Sequence, residues 1–547
     1  MPDIDDDTPR PDPANDPIVA QMGVWEEVAA FLADPASHGL AEPVTRIDTH
    51  AAVVFLAGPL AYKIKRPVRF PFLDFSTLER RAGACRREID VDRPIAPTVY
   101  RRVVAITREA DGRLAIGGDG DAVEWAVEMN RFDETATLDR TVGAKPLEMS
   151  FVEALAGEIA QAQSRARIRE AGPWLADVAD YLAQNRAAFA DRPDLFAPDA
   201  AERLHRLSLE RLTDCADLVE DRGRLGRIRV GHGDLHCANI AVVDGRPQLF
   251  DAIEFDDAIA TGDVLYDVAF LVMDLDVHGD RRAARRLLGR WLLESARLEA
   301  RGPHLRDLEE VLLAEIDALA ALPLWLSIRA ALRAKIAAAT SRHVEGAARE
   351  AQEALARRFF AAACGFVEPV TPRLVAIGGL SGAGKSTLAR GLACDLMPAP
   401  GAMVLRSDEI RKLVAGVGAT VRLGPEHYTR AASDRVYRLL LAAAAAALAA
   451  GRSVITDAVS LHPEERARFG AIARATEAEF TGLWLDVDAA VAAARVDDRR
   501  DDASDADAAV VAFQSARGPG AVDWRRIDAG GTPEATLAAA RAALHEG

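Results

Sequence analysis

The sequence predicts two successive folds in one chain: a mixed α+β region over 18–364, then an α/β region over 373–547 with a parallel sheet covered by helices. Three observations lead there. At 547 residues the chain is longer than one hydrophobic core usually supports. Up to Cys364 the strand-like segments come first and the helical ones after, whereas strand and helix alternate beyond Arg373. Between them, Gly365-Phe-Val-Glu-Pro-Val-Thr-Pro372 has two prolines that close a long helical stretch, so 365–372 reads as the linker.

The elements follow in order. Residues 1–17 are rich in Asp and Pro, lack a basic-then-apolar pattern, and read as a disordered tail, not a targeting peptide. Val24 to Leu32 has helical spacing, and Val44–Leu56 and Leu60–Ile64 read as strands about a turn at Gly58-Pro59. Leu78–Asp92 is a charged helix ending before Pro94. Strands are expected at Val99–Thr107 and Ala122–Met129, around the turn-rich segment 111–121. From Leu147 to Gly226 the pattern is helical, with breaks expected at Pro173, Pro193 and Pro198. Short strands return at Ile228–Val230, Ile240–Val243 and Gln248–Phe250, and helices dominate from Asp263 to Cys364. After the linker, strands are expected at Leu374–Ile377, Met403–Leu405, Ser453–Thr456 and Thr481–Asp486.

Composition narrows the classes of function. Half of the residues are hydrophobic, which allows a sizeable core, and the net charge of −17 disfavours general affinity for nucleic acid or an anionic membrane. Arg281, Arg282, Arg285, Arg286 and Arg290 have the spacing of one basic helix face, read as a solvated surface. Five cysteines show neither C-x-x-C pairing nor zinc spacing and read as reduced residues. The longest apolar run, Leu439–Ala450, is too short to span a bilayer, so the expected setting is cytoplasmic.

Gly379-Leu-Ser-Gly-Ala-Gly-Lys-Ser-Thr387 carries G-x-x-x-x-G-K-[ST] between a strand and a helix. Gly379, Gly382, Ala383 and Gly384 let the backbone turn its N–H groups inward to hold phosphate oxygens at a helix N-terminus. Lys385 then reaches the terminal phosphates, Ser386 faces Mg²⁺ and Thr387 continues the cradle, which implies ATP and Mg²⁺ as cofactors. Asp408 follows a strand end, placed to orient or deprotonate a hydroxyl, and Arg411 lies one turn on, placed for phosphate. Asp457 ends another strand and is the second Mg²⁺ candidate. Arg495, Arg499 and Arg500 share a helical side and are assigned to phosphate contact.

Upstream, His232-Gly-Asp-Leu-His-Cys-Ala-Asn239, then a strand, a turn, a strand and Asp251, has the layout of a kinase catalytic loop. Asp234 is the candidate base, Asn239 and Asp251 the Mg²⁺ ligands, and Glu254 an auxiliary or alternative to Asp251. His232 and His236 are read as fixing the loop. Lys63 in Ala61-Tyr-Lys-Ile-Lys65 is the candidate ATP-binding lysine, Lys65 its substitute, and Glu88 its partner.

These motifs, with Gly262-Asp-Val-Leu-Tyr-Asp-Val-Ala269, resemble the aminoglycoside phosphotransferase family over about Val44–Ile336. That resemblance implies a bilobal protein-kinase-like fold, a small lobe over 18–130 and a helical large lobe over 131–364. It also implies a lobe-connecting hinge near Glu124–Asn130 that binds adenine, and a bracing role for Asp267. The second half resembles small P-loop kinases such as gluconate kinase, the zeta toxins, chloramphenicol phosphotransferase and polynucleotide 5′-kinases, and the order of the two halves resembles bacterial bifunctional phosphotransferases. The expected function is a tandem ATP-dependent phosphotransferase acting on small-molecule hydroxyls. The alternatives are a regulator in which one half gates the other, and a toxin-like or polynucleotide kinase in the second half.

Overall fold

The computed structural model describes residues 17–70, 73–143, 145–301, 307–418, 421–497 and 503–545. Residues 1–16 of the expected tail, together with Arg499 and Arg500, lie outside the described residues, and Pro17 opens the first helix, Pro17–Ala33. The chain forms two compact units, 1–141 with 230–262, and 142–229 with 263–547. Its architecture is a protein-kinase-like region followed by a P-loop domain.

The first unit is built on an antiparallel sheet in the spatial order Thr45–Asp48, Ala52–Ala57, Leu60–Lys65, Asp121–Asn130, Tyr100–Arg108, Leu114–Ile116. Alternation along the strands sorts its two faces. Val53, Phe55, Tyr62 and Ile64 pack on Trp25, Val28 and Leu32 of the first helix. Leu56, Ala61, Val127 and Met129 turn the other way, into a cluster with Cys85 of the helix Leu78–Asp92. Lys63 and Lys65 share the parity of Ala61, so the same strand that anchors one core sends two ammonium groups toward that helix. The expected single strand 44–56 is two strands, because Thr49 N–H and the Ala52 carbonyl (2.9 Å) close a hairpin between them. The sheet also gains the short strand Leu114–Ile116 inside the segment read as turn.

Two further antiparallel strands, Ile240–Val243 and Arg246–Leu249, form a hairpin whose turn residues Asp244 and Gly245 both have positive φ (50° and 74°). Its register places Asn239 opposite Phe250, whose N–H donates to the Asn239 carbonyl at 3.1 Å.

The second unit contains the helices Met149–Arg165, Ala171–Ala190, Pro198–Arg224, Val264–Val277, Arg281–Ala300, Leu308–Asp317, Leu322–Thr340 and Gly346–Val367. Pro173 does not break its helix: it lies in the first turn, where backbone N–H groups have no intrahelical acceptor. The last of these helices continues to Val367, with Phe366 and Val367 buried, so the first three residues of the expected linker are helical. Among the described residues no single helix is long and apolar enough to cross a membrane, and one bent pair, Leu308–Ala320 with Leu322–His343, meets that test only jointly.

The P-loop sheet is parallel throughout, in the order Met403–Arg406, Val454–Asp457, Arg373–Gly379, Glu479–Asp486, Arg525–Asp528. The fifth strand was not legible, since Arg525-Arg-Ile-Asp528 offers a single apolar residue, Ile527, and it is the buried one. The central strand is apolar on both faces because helices cover both.

A buried ionic knot ties the helical part together. Arg222, 1 % exposed, pairs with Asp263 (2.5 Å) and Glu315 (3.5 Å), while Asp263 also caps Val264–Val277 through the Leu265 N–H. Replacing one partner strands the remaining charges in a low-dielectric interior. Arg222→Ala is therefore expected to destabilise this unit by about 3–5 kcal/mol, read as a lower urea midpoint of helical circular dichroism; an unchanged midpoint would show that the knot contributes nothing.

Candidate functional site

In the first unit, a buried carboxylate gathers the candidate ATP-binding groups. Glu88 lies 2.9 Å from Lys63 Nζ and 2.6 Å from Lys65 Nζ, because both lysines alternate onto the face that the helix Leu78–Asp92 covers. Lys63 also meets Asp251 at 2.7 Å, and Lys65 meets Glu254 at 2.5 Å. The two lysines and the two acids that the sequence left as alternatives are thus all present in one network. Burial opposes charge on Lys63, but Asp251 and Glu88 hold its pKa well above the usual lysine value. Lys63 in turn holds the Asp251 carboxyl below its usual range.

Asp251 sits at φ 61°, a left-handed conformation uncommon for a residue with a Cβ. Its backbone is clamped on both sides: the Tyr100 hydroxyl accepts from Asp251 N–H at 3.1 Å, and Asp92 accepts from Ala252 N–H at 2.9 Å. Neither residue was singled out from sequence, where Tyr100 reads as a strand core residue and Asp92 as a helix end.

The 232–239 loop is organised around Asp234, whose side chain is 40 % exposed. Asn239 Nδ2 donates to its carboxylate at 3.0 Å and to its backbone carbonyl at 2.9 Å. His236 Nδ1 accepts from Ala238 N–H at 3.2 Å, which leaves the proton on Nε2, 3.3 Å from the Asp234 carboxylate. His232 Nε2 lies 3.1 Å from the Phe250 carbonyl, and its own carbonyl accepts from Ile253 N–H, so this histidine joins the loop to the 250–254 segment. Gly233 has φ 77°, and a Cβ there would lie 3.1 Å from Ala260 Cα, so only glycine fits. Asp267 is buried and accepts from Gln163 Nε2 at 3.4 Å.

One expectation is corrected. Glu124–Asn130 is not a free hinge but part of the strand Asp121–Asn130, paired with Leu60–Ile64 on one side and Tyr100–Arg108 on the other. Its backbone is engaged in the two ladders and cannot also serve adenine. Glu124 is instead buried against Arg81 at 2.8 Å, and burial raises its pKa to about 7 despite that partner.

In the second unit the phosphate loop has a glycine where no side chain fits. Gly382 has φ 85°, and a Cβ would come within 2.2 Å of the Ala492 carbonyl oxygen. Lys385 Nζ donates to the carbonyls of Gly379 (3.0 Å) and Leu380 (2.9 Å). Ser386 Oγ donates to Asp457 Oδ2 at 2.6 Å, and Arg406 Nε reaches the same oxygen at 3.1 Å. Ala383 is buried, and Thr387 lies in the helix Lys385–Leu392. Asp408 stands in the first turn of Ser407–Val414, and burial, then the nearby Asp457, raise its pKa.

Two arginines go elsewhere. Arg411 donates to the His427 carbonyl at 2.6 Å and lies over the Tyr428 ring at 4.8 Å, and Arg495 donates to the carbonyls of Ala529, Gly530 and Gly531. In this arrangement both brace loops. Two residues missed from sequence act on the site: Gln514 Oε1 accepts from Ser381 N–H at 2.9 Å while its Nε2 donates to Ser381 Oγ at 3.1 Å, and Asp505 gathers Lys412, Leu423 N–H and the Tyr428 hydroxyl. No spacing rule announces either.

The donor sets fit Mg²⁺. Asn239 with Asp251, and Ser386 with Asp457, are oxygen pairs, and among the described residues no group of three or more His, Cys, Asp or Glu could form a full metal cage. Mg²⁺ is commonly held by one or two protein oxygens, with water and phosphate completing its shell. Around Glu88 the three carboxylates Glu88, Asp251 and Glu254 exceed the two ammoniums Lys63 and Lys65, and the surplus negative charge is most accessible at Asp251, whose side chain is 48 % exposed.

Asp92 gives a pH test. Burial, then Glu88, raise its pKa to about 8 from the ordinary 3.8. Between these values the unfolded chain has lost the proton and the folded one keeps it, so the native state binds more protons and stability falls as pH rises. Asp92→Asn keeps an acceptor for Ala252 N–H and is expected to flatten the decline between about pH 4 and 8, measured as thermal midpoint against pH; an identical slope in the variant would rule Asp92 out as its source.

Comparison with known proteins follows this geometry. The family model described as an AAA domain matches residues 374–518. A gluconokinase from Sinorhizobium meliloti is 20 % identical, covering 32 % of this chain and 93 % of its own, with TM-score 0.24. A choline kinase from Cryptosporidium parvum is 11 % identical, covering 63 % of this chain and 95 % of its own, with TM-score 0.36. The uncharacterized proteins Mb2027c of Mycobacterium bovis and Rv2004c of Mycobacterium tuberculosis are each 30 % identical over 501 residues, which is 90 % of this chain and 93 % of theirs. Since the match spans 90 % of this chain at that identity, the chain belongs to the same family as these mycobacterial proteins.

Proposed function

We propose that the chain is a tandem ATP-dependent phosphotransferase, with one active region in 18–364 and another in 373–547, each moving the γ-phosphate of ATP to a hydroxyl of a small molecule. The observation that carries the reading is the half-exposed Asp234 carboxylate, oriented by Asn239 and His236 and joined through His232 to the segment bearing Asp251. The aminoglycoside-phosphotransferase-like order of motifs supports it for the first region. The likeness of the Gly379–Thr387 loop and Asp408 to small P-loop kinases such as gluconate kinase and the zeta toxins supports it for the second.

In the first region Asp234 accepts the proton of the substrate hydroxyl as its oxygen bonds to the γ-phosphorus, and the bond to the β-phosphate oxygen breaks to release ADP. Lys63, held by Glu88, pairs with the α- and β-phosphates. Asn239 and Asp251 hold Mg²⁺. In the second, the loop N–H groups hold the phosphates, Lys385 moves from the carbonyls of Gly379 and Leu380 to the transferred group, and Asp408 orients the acceptor hydroxyl. Ser386 and Asp457 hold the second Mg²⁺. At both places the bound ion offsets negative charge on the phosphates. The five cysteines, none of them in a disulfide, suit a reducing cytoplasmic setting.

The full chain, γ-labelled ATP and a bacterial metabolite extract test this by mass spectrometry of labelled products. Asp234→Asn is expected to lower one product by about 10²–10⁴-fold, and Lys385→Ala to remove a different one. The same product set in wild type and both variants would refute two transfer sites.

A further inference from the structure

The basic face of the helix Arg281–Ala300 is not the solvated surface its spacing suggests. Arg281 pairs with Asp276 (2.7 Å), Arg286 with Glu153 (2.5 Å) and Arg290 with Glu294 (2.5 Å), whereas Arg282 is exposed. Arg285 differs from all of these. It is only 8 % exposed, no carboxylate among the described residues pairs with it, and its Nε has no hydrogen-bond partner. Burial lowers its pKa, and its polar neighbour is the Cys394 thiol.

Arg285 lines a cavity of about 50 Å³ inside the second unit, between this helix and the strand Met403–Arg406 with the start of the helix Ser407–Val414. A second buried guanidinium, Arg452, lines it too and is 2 % exposed. Its Nη2 donates to the carbonyls of Pro398, Ala399 and Gly401, but its Nη1 has no partner, and burial lowers its pKa to about 10. Arg286 and Arg406 complete the charged lining, against one carboxylate, Glu409, at 3.7 Å and 3.4 Å from them. Arg286 and Arg406 also have acids outside the lining, Glu153 and Asp457, whereas Arg285 and Arg452 each keep an unsatisfied N–H in the interior. Such groups are costly unless something accepts from them.

We propose that this cavity is an oxyanion site, distinct from the phosphate loop, that takes a tetrahedral anion of the size and charge of inorganic phosphate. A cavity of about 50 Å³ exceeds what one water needs and so has room for small polar groups. Donors arriving from separate elements suit a tetrahedral acceptor better than a planar carboxylate, which one guanidinium fork already satisfies. Leu288 and Leu292 contribute to the apolar wall. Arg406 gives the site a route to the nucleotide loop, because it shares Asp457 Oδ2 with Ser386. An anion that draws Arg406 into the cavity loosens its hold on that carboxylate.

The test is calorimetric titration of inorganic phosphate into the full chain with Mg²⁺ and a saturating non-hydrolysable ATP analogue, repeated in Lys385→Ala. One saturable phosphate per chain is expected in both. Affinity should fall by about tenfold or more in Arg285→Met and in Gly289→Asp, which puts a carboxylate at a lining position where a Cβ meets nothing within 4 Å. Arg282→Met should bind as wild type does, and circular dichroism confirms folding of each variant. No saturable binding to wild type, binding lost in Lys385→Ala alone, undiminished binding in both cavity variants, or equal affinity for malonate would each overturn the site. The readout is binding and not transfer, so it stands or falls independently of the proposed phosphotransferase activity.

Discussion

Glu88 is the constraint on which the first unit turns. It is fully buried, and a lone carboxylate there would be costly, so it needs cations at both oxygens. Lys63 and Lys65 supply them only if their strand keeps its register, since a one-residue slip would turn both lysines to the opposite face. They in turn fix Asp251 and Glu254. One charged atom pair thus aligns a strand, a helix and the segment after the 240–249 hairpin, elements far apart in sequence. Such a network is weak as a source of stability but strong as a device for position, because removing either lysine leaves buried carboxylate charge uncompensated.

The second unit solves a similar problem with backbone. Its phosphate loop leaves the carboxyl end of the central strand of a parallel sheet, and the neighbouring strand ends at Asp457, so hydroxyl and carboxylate meet by register alone. Close approach of the loop to the Ala492 carbonyl makes Gly382 obligatory. The turn of the loop itself is set by backbone, which is why its motif is contiguous while that of the first unit is scattered.

What sequence reveals follows from that difference. Residues 379–387, 232–239 and 251 stand close along the chain or at fixed offsets, and their local geometry was readable. The choice between Lys63 and Lys65 was not, because strand periodicity puts both on one face and only the helix opposite shows that Glu88 spans the pair. Arg411 and Arg495 show how little spacing says about where a long side chain rests. Their spacing on helices suits phosphate contact, but a long guanidinium bonds whichever carbonyls the tertiary fold brings near, here those of His427 and of Ala529 to Gly531. The hinge was misplaced for a similar reason, since a segment's hydrogen-bonding capacity is known only after its strand partners are. Asp92 and Tyr100 act through distant backbone N–H groups, which no local pattern encodes.

The grip of Gln514 on Ser381 has a consequence for how this protein is made. The two residues are 133 positions apart, so on a translating ribosome the phosphate loop emerges well before the side chain that holds it in shape. At ordinary elongation rates the interval is on the order of ten seconds. During that time a loop with glycine at 379, 382 and 384 lacks its clasp. Competence to bind nucleotide is therefore acquired late, near the end of synthesis, and a chain cut short before Gln514 carries the whole motif without the means to set it.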